Sequence, residues 1–434
     1  MTDERGSAFA LSDEQRELME RARTVARDVL VPIARSGTPG RVNRPLVAAL
    51  GEHALLGRLF PGVGAGGGSA DDGGDEAVGA NADGGDGVTG TRQVAALDLC
   101  LLREAIAEVC PEAETALALQ GLAGYPILQS GTAAQIDAYL PGIATGRLVA
   151  AFALTEPDAG SDAAALSLRA EPDHTAGTGG TTCWRLTGEK RWISNAPDAD
   201  VYTVFARTTS DAGARGVSAF VVPADRAGLS GEPLEMLSDH PIGTLTFDGV
   251  PVTTNDLLGE RDRGFRVAMR TLDLFRPSVG AFTIGMAQAA LDAAADHAVT
   301  RAAFGGTLAD KQAVAHLLAD ATARVSAARL LVYAAASAVD AGAGKAALSA
   351  SAKLLATETA QAAIDIALQI HGASGLHRGH LLEHLYRDVR ATRIYEGASE
   401  VQRDIIARDV FTRARDRIAG ATPGRATNDG KEHR

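Results

Sequence analysis

Phe152-Ala153-Leu154-Thr155-Glu156-Pro157-Asp158-Ala159-Gly160-Ser161-Asp162 lies where this chain of 434 residues changes its periodicity. Its centre, Pro157-Asp158-Ala159-Gly160, is a turn by composition, because proline pre-sets one dihedral and aspartate and glycine suit the rest. On the N-terminal side, apolar residues recur at helical spacing from Ser12 to Gly57, from Val94 to Ala107 and from Glu112 to Gln120. A shorter helix is predicted from Gln135 to Leu140, before Pro141-Gly142, and Ser12 is the expected N-cap of the first helix. After Gly146 the pattern turns into short β-rich segments divided by Gly, Pro and Asp: Arg147 to Leu154, Cys183 to Leu186, Val201 to Arg207, Val217 to Val222 and Thr244 to Phe247. From Gly264 an alanine-rich helical pattern returns and runs almost to Thr412. The order helix, strand, helix predicts an α+β fold with an N-terminal helical domain over 1–148, a β domain over 149–258, a helical domain over 259–420 and a fraying tail over 421–434.

Bulk composition narrows the function. With 46% hydrophobic and 22% charged residues the chain reads as an ordinary soluble protein, and it holds no apolar run of membrane-spanning length. The formal net charge is -12. Six acids (Asp71, Asp72, Asp75, Glu76, Asp83, Asp86) and no Lys or Arg fall within 59–91, which argues against the basic footprint that nucleic-acid binding needs. Gly62 to Gly90 holds twelve glycines and is expected to be a disordered surface loop. Gly62-Val63-Gly64-Ala65-Gly66-Gly67 fits a dinucleotide fingerprint, but no helix follows to present amides to a pyrophosphate and the next charges are acids. Cys100, Cys110 and Cys183 have neither metal-ligand spacing nor an even count, and because Met1 to Gly6 is charged and lacks an apolar segment, no targeting element is expected. A cytoplasmic protein without a metal is expected.

Arg393-Ile394-Tyr395-Glu396-Gly397 sets one carboxylate between an apolar pair and a glycine. Desolvation there would raise its pKa and strengthen it as a proton acceptor. The competing reading is a glutamate that caps a helix beginning near Ala398. Trp192-Ile193-Ser194-Asn195 is the third distinctive segment.

Taken together, the segments at 152–162, 192–195 and 393–397 resemble the acyl-CoA dehydrogenase family, in that family's order and over nearly the whole chain to about Arg408. The resemblance implies a helical domain, a central β-barrel and a C-terminal helical bundle that bind FAD and oxidise acyl-CoA thioesters. Glu396 would then be the base for the α proton and flavin N5 the hydride acceptor. Phe152, Leu154, Thr155 and Ser161 would run along the flavin, with Thr155 donating to its pyrimidine side. Trp192, Ile193 and Ser194 would pack near the ring, Ser194 close to its reactive edge.

Arg301, Phe304, Gln312, Gln369, Gly372 and Ala373 would reach the cofactor of a neighbouring subunit, Arg301 at its diphosphate, which makes a homodimer or homotetramer necessary. Ala398, Ser399 and Glu400 complete the cofactor contacts. Ser161, Asp273, Arg276 and Gly397 would meet the substrate; Asp273 and Arg276 also have the spacing of an ion pair within one helix. Electrons would leave to an electron-transfer flavoprotein. Phe275 fills the position where one branch of the family carries its base, so Glu396 has no rival.

Three departures qualify the resemblance. Ala398 replaces the usual threonine, Ala373 replaces a glycine, and Ser238-Asp239-His240-Pro241 is unusual enough to question ordinary fatty acyl specificity. His240, beside a proline in a loop, is expected to be a packing or hydrogen-bonding residue rather than a catalytic one. A flavin monooxygenase or oxidase on the same scaffold, or a non-catalytic flavin-binding partner, are the alternatives.

Overall fold

A computed structural model describes residues 11–63, 94–174 and 182–420. The expectations for the glycine-rich loop beyond Val63 and for the 421–434 tail lie outside these residues.

Ser12 caps α1 (Asp13–Val25) as expected, in a reciprocal capping box with Gln15. A π-helical turn, Ala26–Leu30, leads into α2 (Val31–Ala34), and α3 (Arg44–Glu52) follows with Asn43 as its N-cap. The next helices are α4 (Ala96–Ala107), α5 (Pro111–Ser130) and α6 (Ala133–Ala144). Two of them outrun the sequence pattern. α5 continues past Gln120 through Gly121, Gly124 and Pro126, because the rings of Phe275 and Phe60 lie against the glycines and packing overrides weak propensity. α6 likewise keeps Pro141 within its last turn.

Seven strands then form one curled sheet: β1 (Ala150–Ala153), β2 (Arg169–Pro172), β3 (Cys183–Ser194), β4 (Val201–Arg207), β5 (Val217–Pro223), β6 (Leu229–Pro233) and β7 (Ile242–Thr253). They are ordered β1-β4-β2-β3-β7-β6, with β5 on β4. β2 and β6 carry no alternating apolar pattern and were not legible. β3 extends eight residues beyond the expected Leu186 because its polar stretch pairs with β7. Register slips between Lys190 and Ile193, leaving Arg191 and Trp192 as a bulge, with Trp192 in the left-handed region at φ 61°.

α7 (Gly264–Thr300), α8 (Gln312–Asp340) and α9 (Ala346–His371) are the long helices of the C-terminal part, with the small hairpin β8 (Ala302–Ala303) and β9 (Gly306–Thr307) between the first two. α10 (Leu381–Thr392) and α11 (Ser399–Gly420) complete the chain. α7 packs along α9, α8, α4 and α5, so the N-terminal helices share its core. Alanine and glycine permit the close approach: a Cβ on Gly285 of α7 would lie 2.3 Å from the carbonyl oxygen of Glu104 in α4. α5 also packs on β1, and this contact ties the helices to the sheet beside the Thr155 segment. Among the described residues no helix is long and apolar enough to cross a membrane, and no group of His, Cys, Asp and Glu is arranged to hold a metal.

Candidate active site

Glu396 and Gly397 form the turn between α10 and α11, both in the left-handed region at φ 51° and 95°. Such a backbone persists only where its surroundings over-determine it. Here they do. The Lys353 ammonium, buried in α9, donates to the carbonyls of Tyr395 (3.1 Å) and Gly397 (2.8 Å). Gln402 Nε2 donates to the carbonyls of Glu396 (3.3 Å) and Gly397 (2.9 Å), and Arg276 Nε reaches the Glu396 carbonyl at 3.5 Å. The φ of 95° at position 397 is one that residues with a Cβ rarely adopt, which favours glycine there, and a Cβ would also press on Gln402 Nε2 at 2.3 Å.

The turn holds the Glu396 carboxylate in place without satisfying it. Its Oε2 is buried and has no hydrogen-bond partner. Burial raises its pKa above the ordinary value, while Arg103, Lys353 and Arg276 pull it back. The helix-cap alternative finds no support, since no backbone N–H of α11 donates to this side chain among the described residues. The expected apolar shelter is different, however: Ile394 is 59% exposed, and the groups that act on the buried carboxylate are Arg103 of α4, Lys353 of α9 and Arg276 of α7.

Around Arg103 is a buried network that the sequence did not announce. Arg103 of α4 donates through Nε to Glu114 of α5 and through Nη1 to Ser278 Oγ of α7 (2.6 Å). The side chains of Arg103 and Glu114 are 3% and 1% exposed. Burial pushes Glu114 up, to about 7, against the pull of Arg103. Burial also pushes Lys353 down, to about 8. The available signal was Arg103-Glu104 inside Leu101-Leu102-Arg103-Glu104-Ala105-Ile106, where charges interrupt an apolar helix.

The second cluster forms where β3 meets the Thr155 segment. Arg191 N–H donates to the Thr155 carbonyl (3.0 Å), while Lys190 Nζ, fully buried, donates to the Leu154 carbonyl (2.9 Å) and pairs with Glu156 (2.8 Å). Glu156 and Ala159 bridge across the expected Pro157-Asp158 turn. The bulge leaves Trp192 45% exposed, with the Arg191 guanidinium 5.0 Å from its ring centroid. Ser194 ends the strand. Leu154 and Ile193 are core side chains, so a ligand could meet those two positions only through backbone; Phe152 packs partly buried on Phe205, and Ser161 is exposed. The loop carrying His240 docks on α10 through Arg387, whose Nη1 donates to the Leu237 carbonyl at 3.4 Å. The end of α10 opens into the Glu396 turn.

Asp273 and Arg276 do form the intrahelical pair, at 2.7 Å, with Arg276 nearly buried and also touching the Glu396 carbonyl. Arg301, Phe304, Gln312, Gln369, Gly372 and Ala373 are not part of this cluster; they are exposed. Two of their segments do meet, because His297, one turn before Arg301, stacks on His371 at 4.2 Å between ring centroids. Ser399 directs its hydroxyl to Glu358 (2.7 Å), Ala398 is half-buried, and Glu400 points outward to Arg403.

The half-exposed Trp192 indole thus lies on the bulge between Thr155 and Ser194, and the unpartnered Glu396 carboxylate lies in the turn that follows α10. Known proteins place the chain in a family. Family models for the acyl-CoA dehydrogenase N-terminal, middle and C-terminal domains match residues 82–147, 151–250 and 262–411. Cyclohexane-1-carbonyl-CoA dehydrogenase of Geobacter metallireducens is 31% identical over 410 residues, covering 94% of this chain and 100% of that protein. The caffeyl-CoA reductase-Etf complex subunit CarC of Acetobacterium woodii is 39% identical over 293 residues, 66% of this chain and 74% of its own. The structure of butyryl-CoA dehydrogenase from Megasphaera elsdenii superposes with a TM-score of 0.81 at 29% identity, covering 93% of this chain and 100% of that one. The chain belongs to the acyl-CoA dehydrogenase family, an FAD-dependent family of oxidoreductases.

Proposed function

We propose that the protein is an FAD-dependent dehydrogenase of acyl-CoA thioesters, with Glu396 as the base that takes the α proton. The observation that carries this reading is the buried, unpartnered Oε2 of Glu396 with its raised pKa. Such a carboxylate is stored energy for proton abstraction, because the proton it accepts relieves its own desolvation. The Glu396 N–H donates to no group among the described residues and would polarise the thioester carbonyl as negative charge develops there. FAD, when bound, accepts the β hydrogen as hydride. Thr155, Trp192 and Ser194 would hold its ring, and Arg276, already beside the Glu396 carbonyl, would line the approach of the substrate with Asp273.

Exposed Phe304, 90% accessible, and Arg301 support a homo-oligomer in which these residues reach the cofactor of a second subunit. The relationship to a subunit of an Etf complex supports an electron-transfer flavoprotein as electron acceptor. The unpaired Cys100, Cys110 and Cys183 fit a reducing, cytoplasmic setting.

Anaerobic titration with straight, branched, cyclic and aryl-substituted acyl-CoAs tests the activity, and at least one should bleach the flavin. Binding without bleaching across the panel would make the protein a flavin-binding partner. Stoichiometric oxygen consumption during turnover would make it an oxidase. For the surface group, Arg301→Ala should weaken FAD retention roughly ten- to a hundredfold, as expected for a charge-assisted contact of about 1.5–3 kcal/mol. Unchanged flavin content after prolonged dialysis would remove Arg301 from the cofactor site.

A further inference from the structure

His240 is drawn beside Ser194 by the sheet itself. Ser194 is paired with Ile242 at the start of β7, and the Asn195 N–H donates to the Pro241 carbonyl at 2.8 Å, so the residue before that proline lies against the end of β3. Its Nε2 stands 2.7 Å from Ser194 Oγ. No other side chain hydrogen-bonds to the His240 ring among the described residues, and the neighbouring Asp239 carboxylate is turned to Arg387 at 3.8 Å. Burial alone holds the imidazole down, to about 4, so it is neutral at working pH.

A neutral imidazole presents one donor and one acceptor nitrogen, and a serine hydroxyl has one proton and two lone pairs. A separation of 2.7 Å is hydrogen-bond distance whichever group donates, and the hydroxyl is the donor when the ring proton sits on Nδ1. We propose that His240 is a positioning residue that accepts the Ser194 proton and thereby turns the lone pairs of Oγ outward, toward the cofactor. This rests on the reading of Ser194 at the reactive edge of the flavin. Outward lone pairs disfavour the oxidised ring, whose edge nitrogen is itself an acceptor, and favour the reduced ring, whose N–H they accept. His240 therefore raises the flavin potential by way of Ser194, without touching substrate.

The test is the midpoint potential of the FAD-loaded protein by anaerobic dye equilibration. His240→Phe, which keeps a ring and loses the acceptor, should lower the reduced-to-oxidised ratio at fixed potential about tenfold, which is about 30 mV for a two-electron couple. His240→Gln, whose amide oxygen can accept the same proton, should recover most of it, and serves as the comparison for His240→Ala should the Phe variant lose FAD. In a Ser194→Ala background, changing His240 should add nothing. A His240 effect that persists without the Ser194 hydroxyl, or no effect in its presence, overturns the proposal. If Ser194→Ala by itself leaves both potential and visible spectrum unchanged, it is the placement of Ser194 at the flavin that fails.

Discussion

Glu396→Gln is expected to bind FAD and acyl-CoA and to reduce its flavin at least 10²- to 10⁴-fold more slowly than the parent, the range set by loss of a general base. Glutamine keeps the length of the side chain and leaves the turn intact, since Lys353, Gln402 and Arg276 bond to backbone carbonyls and not to the carboxylate. The two rivals the sequence offers are not in place to substitute: position 275 holds a buried phenylalanine and Glu400 faces outward. Stopped-flow bleaching under anaerobic conditions reads the effect, and a rate within threefold of the parent would end the assignment. The parent should be active only with Glu396 deprotonated, so its rate should rise with pH through a value above the ordinary glutamate pKa of about 4.3. Stability carries the opposite sign. Because the folded pKa is raised, the native state holds a proton that the unfolded chain has lost, and stability falls as pH rises through that window. Glu396→Gln should consequently be as stable as the parent at neutral pH, or more so.

The sequence made the family and the order of its domains legible where local pattern is distinctive. Thr155, Trp192-Ile193-Ser194 and Glu396-Gly397 are the short motifs on which the proposed site rests, and the change from helical to strand period located the sheet between helices. Elements held by tertiary pairing were less legible. β6, Leu229–Pro233, has glycine, proline and a charge among its five residues and exists because β7 supplies its partners. The same limit hid the support of the base. Lys353 lies in the alanine-rich run of α9 and Gln402 beyond the motif, and only folding brings both onto the carbonyls around Glu396. His240 stood out in the sequence as an oddity, but its meaning depends on a strand register that places it at Ser194.

Arg103→Leu should be the most destabilising single change near the site, costing about 3–5 kcal/mol as the usual consequence of breaking a buried ion pair from one side. Arg103 is nearly without solvent contact and joins three helices, donating to Glu114 on α5 and Ser278 on α7 from its own place on α4. Its loss strands Glu114, which already has one oxygen, Oε2, without a partner and a pKa pushed up to about 7. Arg103→Leu combined with Glu114→Leu should recover most of the lost stability, because a buried pair replaced as a whole by apolar groups costs little. The effect on the base should not recover. Arg103 is the foremost of the cations that pull the Glu396 pKa down, so the acid limb of flavin reduction should move to higher pH in the single and double variants alike. Denaturant unfolding and the pH profile of anaerobic flavin reduction separate the two roles. If the single variant unfolds within about 1 kcal/mol of the parent, the pair is not the structural tie its burial indicates; if the acid limb stays in place in the double variant, Arg103 does not tune the base.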